Sequence, residues 1–270
     1  MTSPPKSEQV SRHEIDIFGR NRENHDMKTI ALLTAGGSGT RIHQDIPKQF
    51  LHVNNKPIII YTLQAFQNHP SVDEICISIL DGWKQVIMAY AKQFNITKLK
   101  YIAEGGATGQ ESIYNGLCEI MKTASPNDVV IVHDGNRPLV SNEIISDNLA
   151  VFEKYGCAVA AIPCTEVVFE SDDGISSMIS TAREKLFRTQ TPHTYYLKDL
   201  YEAHQEALRR NIKNTAASCM LMKELGKPTY FSKGSEENIK ITTLEDLKIF
   251  KALLNVWQET WIKNVDNQSI

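Results

Sequence analysis

The stretch Thr29-Ile30-Ala31-Leu32-Leu33-Thr34-Ala35-Gly36-Gly37-Ser38-Gly39-Thr40-Arg41, followed by Pro47-Lys48-Gln49, decides the fold. Thr29–Thr34 is a short apolar run that ends in Ala-Gly-Gly, and it reads as a buried strand entering a loop. A glycine-rich loop at the carboxyl end of a buried strand is where open α/β sheets bind ligands. Glycines let backbone N–H groups approach a polyphosphate closely, and Arg41 and Lys48 add positive charge. Two commoner loops are ruled out. A dinucleotide fingerprint needs glycine where Ile42 stands, and the Gly-Lys-Ser/Thr ending of a P-loop is missing.

Outward from this loop the chain alternates. Helices are expected at Pro57–Asn68, Gly82–Phe94, Gln110–Lys122 and Ser141–Tyr155. Strands are expected at Glu74–Leu80, Lys98–Ile102, Asp128–Val132 and Ala158–Ile162. That rhythm predicts an α/β fold, a Rossmann-like and mainly parallel sheet flanked by helices. After Pro163 the rhythm breaks. Glu166–Glu170, the polar turn Ser171-Asp172-Asp173-Gly174 and Ile175–Thr181 read as a β-hairpin, a projecting arm. Helices Leu197–Arg210 and Ala217–Leu225, strand Thr229–Ser232 and helix Leu244–Trp257 follow, the last capped by Thr243 with Asp246. Residues 1–26 are polar and without period and read as a disordered tail, so residues 27–270 form the one domain.

Three further segments carry chemistry. Gly105-Gly106-Ala107-Thr108-Gly109-Gln110-Glu111-Ser112 is a second glycine-rich loop opening a helix, whose N-terminus favours an anion or a polar ligand edge. His133-Asp134-Gly135-Asn136-Arg137-Pro138 puts an acid at a strand end, a natural ligand for Mg²⁺ or a hydroxyl. His133 reads as a packing histidine and Arg137 equally as a brace. Asn238-Ile239-Lys240-Ile241-Thr242-Thr243 brings a lysine back before the last helix.

The order of these segments, with Arg183 and Gln190-Thr191-Pro192, resembles the 2-C-methyl-D-erythritol 4-phosphate cytidylyltransferases and their relatives, the ribitol 5-phosphate cytidylyltransferases. The resemblance spans roughly residues 28–255. It implies an enzyme that transfers CMP from CTP to a polyol phosphate, releases pyrophosphate and uses Mg²⁺. It implies that Arg41, Lys48 and Lys240 meet the triphosphate, and that Ala35, Gly36, Gly37, Gly106 and Ser112 hold the nucleotide. Asp134 is implied near acceptor and metal, and Arg183 and Thr215 at the acceptor's phosphate. It implies a homodimer in which the arm, residues 164–185, completes the other subunit's site. Gly109 stands where the methylerythritol enzymes usually carry arginine, Glu166-Val167 where they carry Asp-Thr, His193 in place of glutamine, and Ala216-Ala217 in place of acids. Most of these departures fall on the acceptor side, which points to a ribitol 5-phosphate-like acceptor rather than the methylerythritol phosphate of isoprenoid synthesis.

The chemistry suits such residues. A phosphate monoester has a second pKa of about 6, so the nucleophile is already a dianion and needs no general base. The barrier is charge, and positioned cations lower it. Two readings of another class are weaker. A nicotinamide-dependent oxidoreductase lacks its fingerprint, and a non-catalytic nucleotide-binding module has no use for Arg41, Lys48 and Lys240 together. Composition agrees. The net charge of −3 argues against nucleic-acid partners. No apolar run reaches the ~20 residues of a membrane span. Five scattered cysteines without a C-x-x-C pair suggest reduced thiols in a cytoplasm.

Overall fold

The computed structural model describes residues 27–37 and 46–258. The expected tail 1–26 and Arg41 lie outside the described residues. Strand β1 (Thr29–Ala35) is followed by a 3₁₀ turn at Lys48–Phe50 and a small ladder of β2 (His52–Val53) and β3 (Lys56–Pro57). Asn54 and Asn55 link β2 to β3 at φ of 49° and 62°, the left-handed conformation that asparagine tolerates. Then come α1 (Ile58–Asn68), β4 (Glu74–Ile79), α2 (Lys84–Gln93), β5 (Leu99–Glu104), α3 (Gly109–Ile120), β6 (Val129–Asp134), α4 (Asn142–Tyr155) and β7 (Cys157–Pro163). The arm is β8 (Val168–Glu170) and β9 (Ile179–Thr181). After it come β10 (Phe187–Tyr196), α5 (Leu197–Arg209), α6 (Ser218–Glu224), β11 (Phe231–Lys233) and α7 (Leu244–Gln258).

Seven strands form one sheet in the order β11-β7-β10-β6-β1-β4-β5. β1 lies in mid-sheet, parallel to both β4 and β6, and helices cover the sheet on both faces, so its run of apolar residues does not alternate. One buried cluster packs α1, α2 and α4 against one face, with Phe66, Leu63, Ile145 and Phe152. A second packs α3, α5 and α6 against the other, with Leu117, Leu200, Leu221 and Tyr195. Local signals set the helix ends. Ser141 accepts the Ile144 N–H at the start of α4, and Gly156 at φ 77° closes it. The Thr243 hydroxyl and Asp246 carboxylate cap α7 reciprocally, as expected. No helix among the described residues is long and apolar enough to cross a membrane.

β10 carries no strand signal in the sequence. This strand runs antiparallel between β6 and β7, and its register slips between Thr189 and His193, around Pro192. Proline within a polar segment argues against a central strand. Burial here is rescued by partners distant in sequence. Asn148 of α4 donates to the Pro192 carbonyl (3.2 Å) and to Ser232 Oγ (2.6 Å), and accepts from Thr194 Oγ1 (2.5 Å).

The arm leaves and re-enters the sheet at one place. Phe187 pairs with Pro163, and the Cys164 N–H donates to the Leu186 carbonyl (2.9 Å). Its tip is a turn in which Asp173 accepts from Ile175 N and Ser176 N, with Gly174 at φ 67°.

Candidate active site

The chain runs from β1 outward to β4 and β5, then returns to β6 on the opposite side of β1. The loops after β1 and β6 therefore diverge, and the crevice between them is the topological switch point where open α/β sheets take ligands. Two adjoining cavities open there. One, of about 200 Å³, is lined by Ala35, Gly36, Gly37, Lys48, Gly106, Ser112, Asp134 and Lys240 among others. The other, of about 420 Å³, is lined by Gln110, Thr191, His193, Thr215 and Ser218 among others. Thr34, Gly109, Asp134 and Lys240 belong to both and form their junction. A hollow of about 580 Å³ beyond the β4–β5 edge shares no lining residue with either.

The two glycine loops meet backbone to backbone. A Cβ on Gly105 would lie 2.7 Å from Gly36 Cα, and one on Gly36 would lie 2.9 Å from Ser112 Oγ. Ser112 is spent on the loop itself. Its hydroxyl accepts from Gly106 N (3.0 Å) and donates to the Thr108 carbonyl (2.9 Å). Thr108 caps α3 by accepting from Glu111 N. Gln49, buried, donates to the carbonyls of Ala35 (2.7 Å) and Gly37 (3.2 Å), tying the turn that carries Lys48 to the first glycine loop.

Lys240 reaches the junction because its segment is stitched down by buried amides. Asn136 Nδ2 donates to the Ile241 carbonyl, Asn238 Nδ2 to the Thr191 carbonyl (2.9 Å), and Arg137 Nη1 to the Asn238 carbonyl (2.7 Å). Lys240 Nζ then lies 2.9 Å from Asp134 Oδ1, and Arg137 Nε 2.9 Å from Asp134 Oδ2. Burial alone would raise the Asp134 carboxyl, but Lys240 and Arg137 outweigh it and hold it well below the usual carboxylate range. Arg137 is thus a brace as well as a charge. Asp134 is the only carboxylate lining either cavity among the described residues. Among the described residues no group of three His, Cys, Asp or Glu side chains could hold a metal, so a Mg²⁺ here would take Asp134 alone from the protein and would need the oxygens of a bound phosphate to complete its shell.

Thr215 lines the larger cavity. Arg183 lines neither. It sits at the base of the arm, donates to the Thr165 carbonyl (3.2 Å) and is more than half exposed. The bracing amides Gln49, Asn136 and Asn238 had no sequence signal beyond their place in the motifs, and Asn148, inside α4, had none.

His193 and His204 are buried in the wall of the larger cavity, and His133 is buried against Phe66 on the α1 side of β6. Burial pushes His133 down to about 3, and His193 and His204 down to about 4. Each titrates near 6.5 in an unfolded chain. Below that pH the unfolded chain takes up protons the folded one refuses. Their stabilisation is therefore whole above about pH 6.5 and is lost as pH falls toward 4, at up to about 1.4 kcal/mol per pH unit per histidine. The urea midpoint is expected to drop clearly between about pH 7 and about pH 5. An unchanged midpoint would show that these side chains become hydrated in the folded state.

Comparisons with known proteins agree with this geometry. The family model for IspD, 2-C-methyl-D-erythritol 4-phosphate cytidylyltransferase, matches residues 29–256. A ribitol-5-phosphate cytidylyltransferase of Lacticaseibacillus paracasei is 38% identical over 226 residues, 83% of this chain and 97% of that protein. A 2-C-methyl-D-erythritol 4-phosphate cytidylyltransferase of Clostridium botulinum is 35% identical over 227 residues, 84% of this chain and 97% of that one. The crystal structure of the 4-diphosphocytidyl-2C-methyl-D-erythritol synthase of Anaerococcus prevotii superimposes with a TM-score of 0.72 at 25% identity, over 85% of this chain and all of that one. A match over residues 29–256 and relatives 38% and 35% identical over most of their length show that this chain belongs to the 2-C-methyl-D-erythritol 4-phosphate cytidylyltransferase family.

Proposed function

We propose that this enzyme transfers CMP from CTP to the phosphate of a linear polyol phosphate, ribitol 5-phosphate in preference to methylerythritol 4-phosphate, and releases pyrophosphate. The observation that carries the reading is the pair of cavities joined at Asp134 and Lys240. A nucleotide triphosphate in the smaller and an acceptor phosphate in the larger would meet at that junction. The reaction then rests on positioning and charge. Lys48 and Lys240 neutralise the triphosphate, and the amides of Gly36 and Gly37 add fixed dipoles, while the Gly106 amide holds the second loop in shape through Ser112. Asp134 is the residue to hold a Mg²⁺, which supplies further positive charge to the triphosphate when bound. No proton need be abstracted from the acceptor phosphate, which agrees with histidines kept neutral by burial.

The choice of ribitol rests on the acceptor wall and on the relatives. Ala216 and Ala217 present no carboxylates there, while Thr191, His193, Thr215 and Ser218 present neutral polar groups. The ribitol-5-phosphate enzymes of Lacticaseibacillus paracasei and Vibrio parahaemolyticus, at 38% and 37% identity, support the same choice. The test is kcat/KM for the two acceptors at saturating CTP and Mg²⁺. Ribitol 5-phosphate is expected to lead by about tenfold, the worth of one well-made hydrogen bond. An equal lead for methylerythritol 4-phosphate would give the chain the isoprenoid role instead.

A homodimer is part of this reading. Val167, Phe169, Ile175, Met178 and Ile179 leave the arm more than half exposed, and an isolated hairpin of this kind is marginal in water. Arg183, away from its own chain's cavities, would then serve its partner's acceptor. Sedimentation at micromolar concentration is expected to show a dimer, and Phe169→Asp with Ile179→Asp to shift it to monomer. A fully active wild-type monomer would defeat the assignment. Five free cysteines support work in a reducing cytoplasm, and the net charge of −3 supports small-molecule rather than nucleic-acid partners.

A further inference from the structure

Gln110 is the second residue of α3, immediately after the nucleotide loop, and its whole amide is directed at a segment about a hundred residues away. Its Nε2 donates to the Ile212 carbonyl (2.9 Å), and its Oε1 accepts from Thr215 N (2.9 Å) and Thr215 Oγ1 (3.1 Å). The segment it grips lies between α5 and α6 and has no regular structure. Asn211 and Asn214 both stand at φ 56°, in the left-handed region. Residues 215–218 are also a wall of the larger cavity, and Gly109, next to Gln110, lines both cavities.

We propose that Gln110 is a positioning residue that ties the acceptor wall to the nucleotide loop, so that ordering either one favours binding at the other. The inference rests on the acceptor reading of the larger cavity. In the resting enzyme the three bonds set the distance between Thr215 and the Gly106–Gly109 loop. A ligand that orders the loop thereby orders Thr215 for the acceptor, and the coupling is reciprocal. Gln110 touches neither reacting atom; it acts through Thr215.

The experiment compares wild type with Gln110→Met, which keeps length and helix propensity but loses every bond of the amide. The acceptor KM, measured with ribitol 5-phosphate, is expected to rise at least tenfold, while the Kd for CTP alone stays within twofold. Thr215→Val is expected to raise the same KM, and the double variant to be no worse than the poorer single one, as two ends of one contact require. Additive effects, or a CTP Kd that rises as far as the acceptor KM, would overturn the proposal. A readout free of turnover accompanies it. Arg209, Arg210 and Lys213 flank the held segment, and Gln110→Met is expected to speed tryptic cleavage there at least fivefold. Unchanged cleavage would overturn the brace even if the acceptor assay moved. If wild type releases no pyrophosphate with any phosphorylated polyol, the acceptor reading fails while the cleavage assay still decides the brace.

Discussion

Lys240→Ala is expected to cut pyrophosphate release by two to three orders of magnitude and to leave the protein folded. The size follows from where Lys240 sits. It belongs to both cavities, at the point where a triphosphate and a second phosphate would converge. A fixed donor aimed at charge that develops in the transition state is worth about 3–4 kcal/mol. Its contribution to folding is far smaller. The side chain is 42% exposed, and exposed ion pairs stabilise by about 0–1 kcal/mol. The segment is held by Asn136, Arg137 and Asn238, none of which needs the ammonium. Asp134 would keep Arg137 at 2.9 Å and so would not become an orphaned charge. A fall in kcat with KM for CTP little changed would place the interaction in the transition state. Turnover within twofold of wild type would remove Lys240 from the mechanism. Lys48→Ala is the parallel experiment on the nucleotide side.

Gly105→Ala is expected to damage the nucleotide site by a different route. The new methyl would sit 2.7 Å from Gly36 Cα and 3.3 Å from the Ile79 carbonyl oxygen, both backbone atoms that cannot rotate away. The Gly105 N–H is meanwhile pinned to that carbonyl at 2.7 Å. Relief therefore requires the two glycine loops to part. Overpacking of this kind costs about 1–3 kcal/mol in stability. Because the loops are the walls of the smaller cavity, KM for CTP is expected to rise at least tenfold, a change of about 1.4 kcal/mol. Gly109→Ala is the control for stability, since a Cβ there meets nothing within 4 Å. Its melting temperature is expected to match wild type or exceed it, as alanine favours the helix it opens. If Gly105→Ala melts and binds CTP like wild type, the loop contact is looser than described.

The parallel core was legible because its signals are local. Apolar runs such as Thr29–Thr34 and helical periods such as Ile59, Ile60, Leu63 and Phe66 depend only on neighbours in sequence. β10 was not legible because its stability is not local. Gln190, Thr191, His193 and Thr194 are all buried, a pattern that makes sense only once Asn148, Ser218 and Asn238 stand beside them. The site divides in the same way. Glycine loops and basic residues announce themselves as motifs. The pairing of Asp134 with Lys240 joins positions 106 residues apart, and nothing in either segment alone predicts it. The resemblance to a family implied that both residues belong to the site, but not that they pair with each other. Gln110 shows its limit, because a residue with three bonds to the segment at Ile212 and Thr215 carried no motif signal beyond a helix start.

The place where the arm joins the sheet has a consequence for modularity. The chain departs after Pro163 and returns at Phe187, two residues that face each other across one ladder. An insertion whose ends already touch adds almost nothing to the loop-closure cost of the sheet that bears it, and its length and sequence are free to vary. The arm is thus a cassette. Replaced by a tight turn, it leaves the strand order and every residue lining both cavities in place, since none of those residues belongs to it. The arm's exposed apolar residues and the lining of both cavities are therefore carried on separate pieces of chain, and one can change without rebuilding the other.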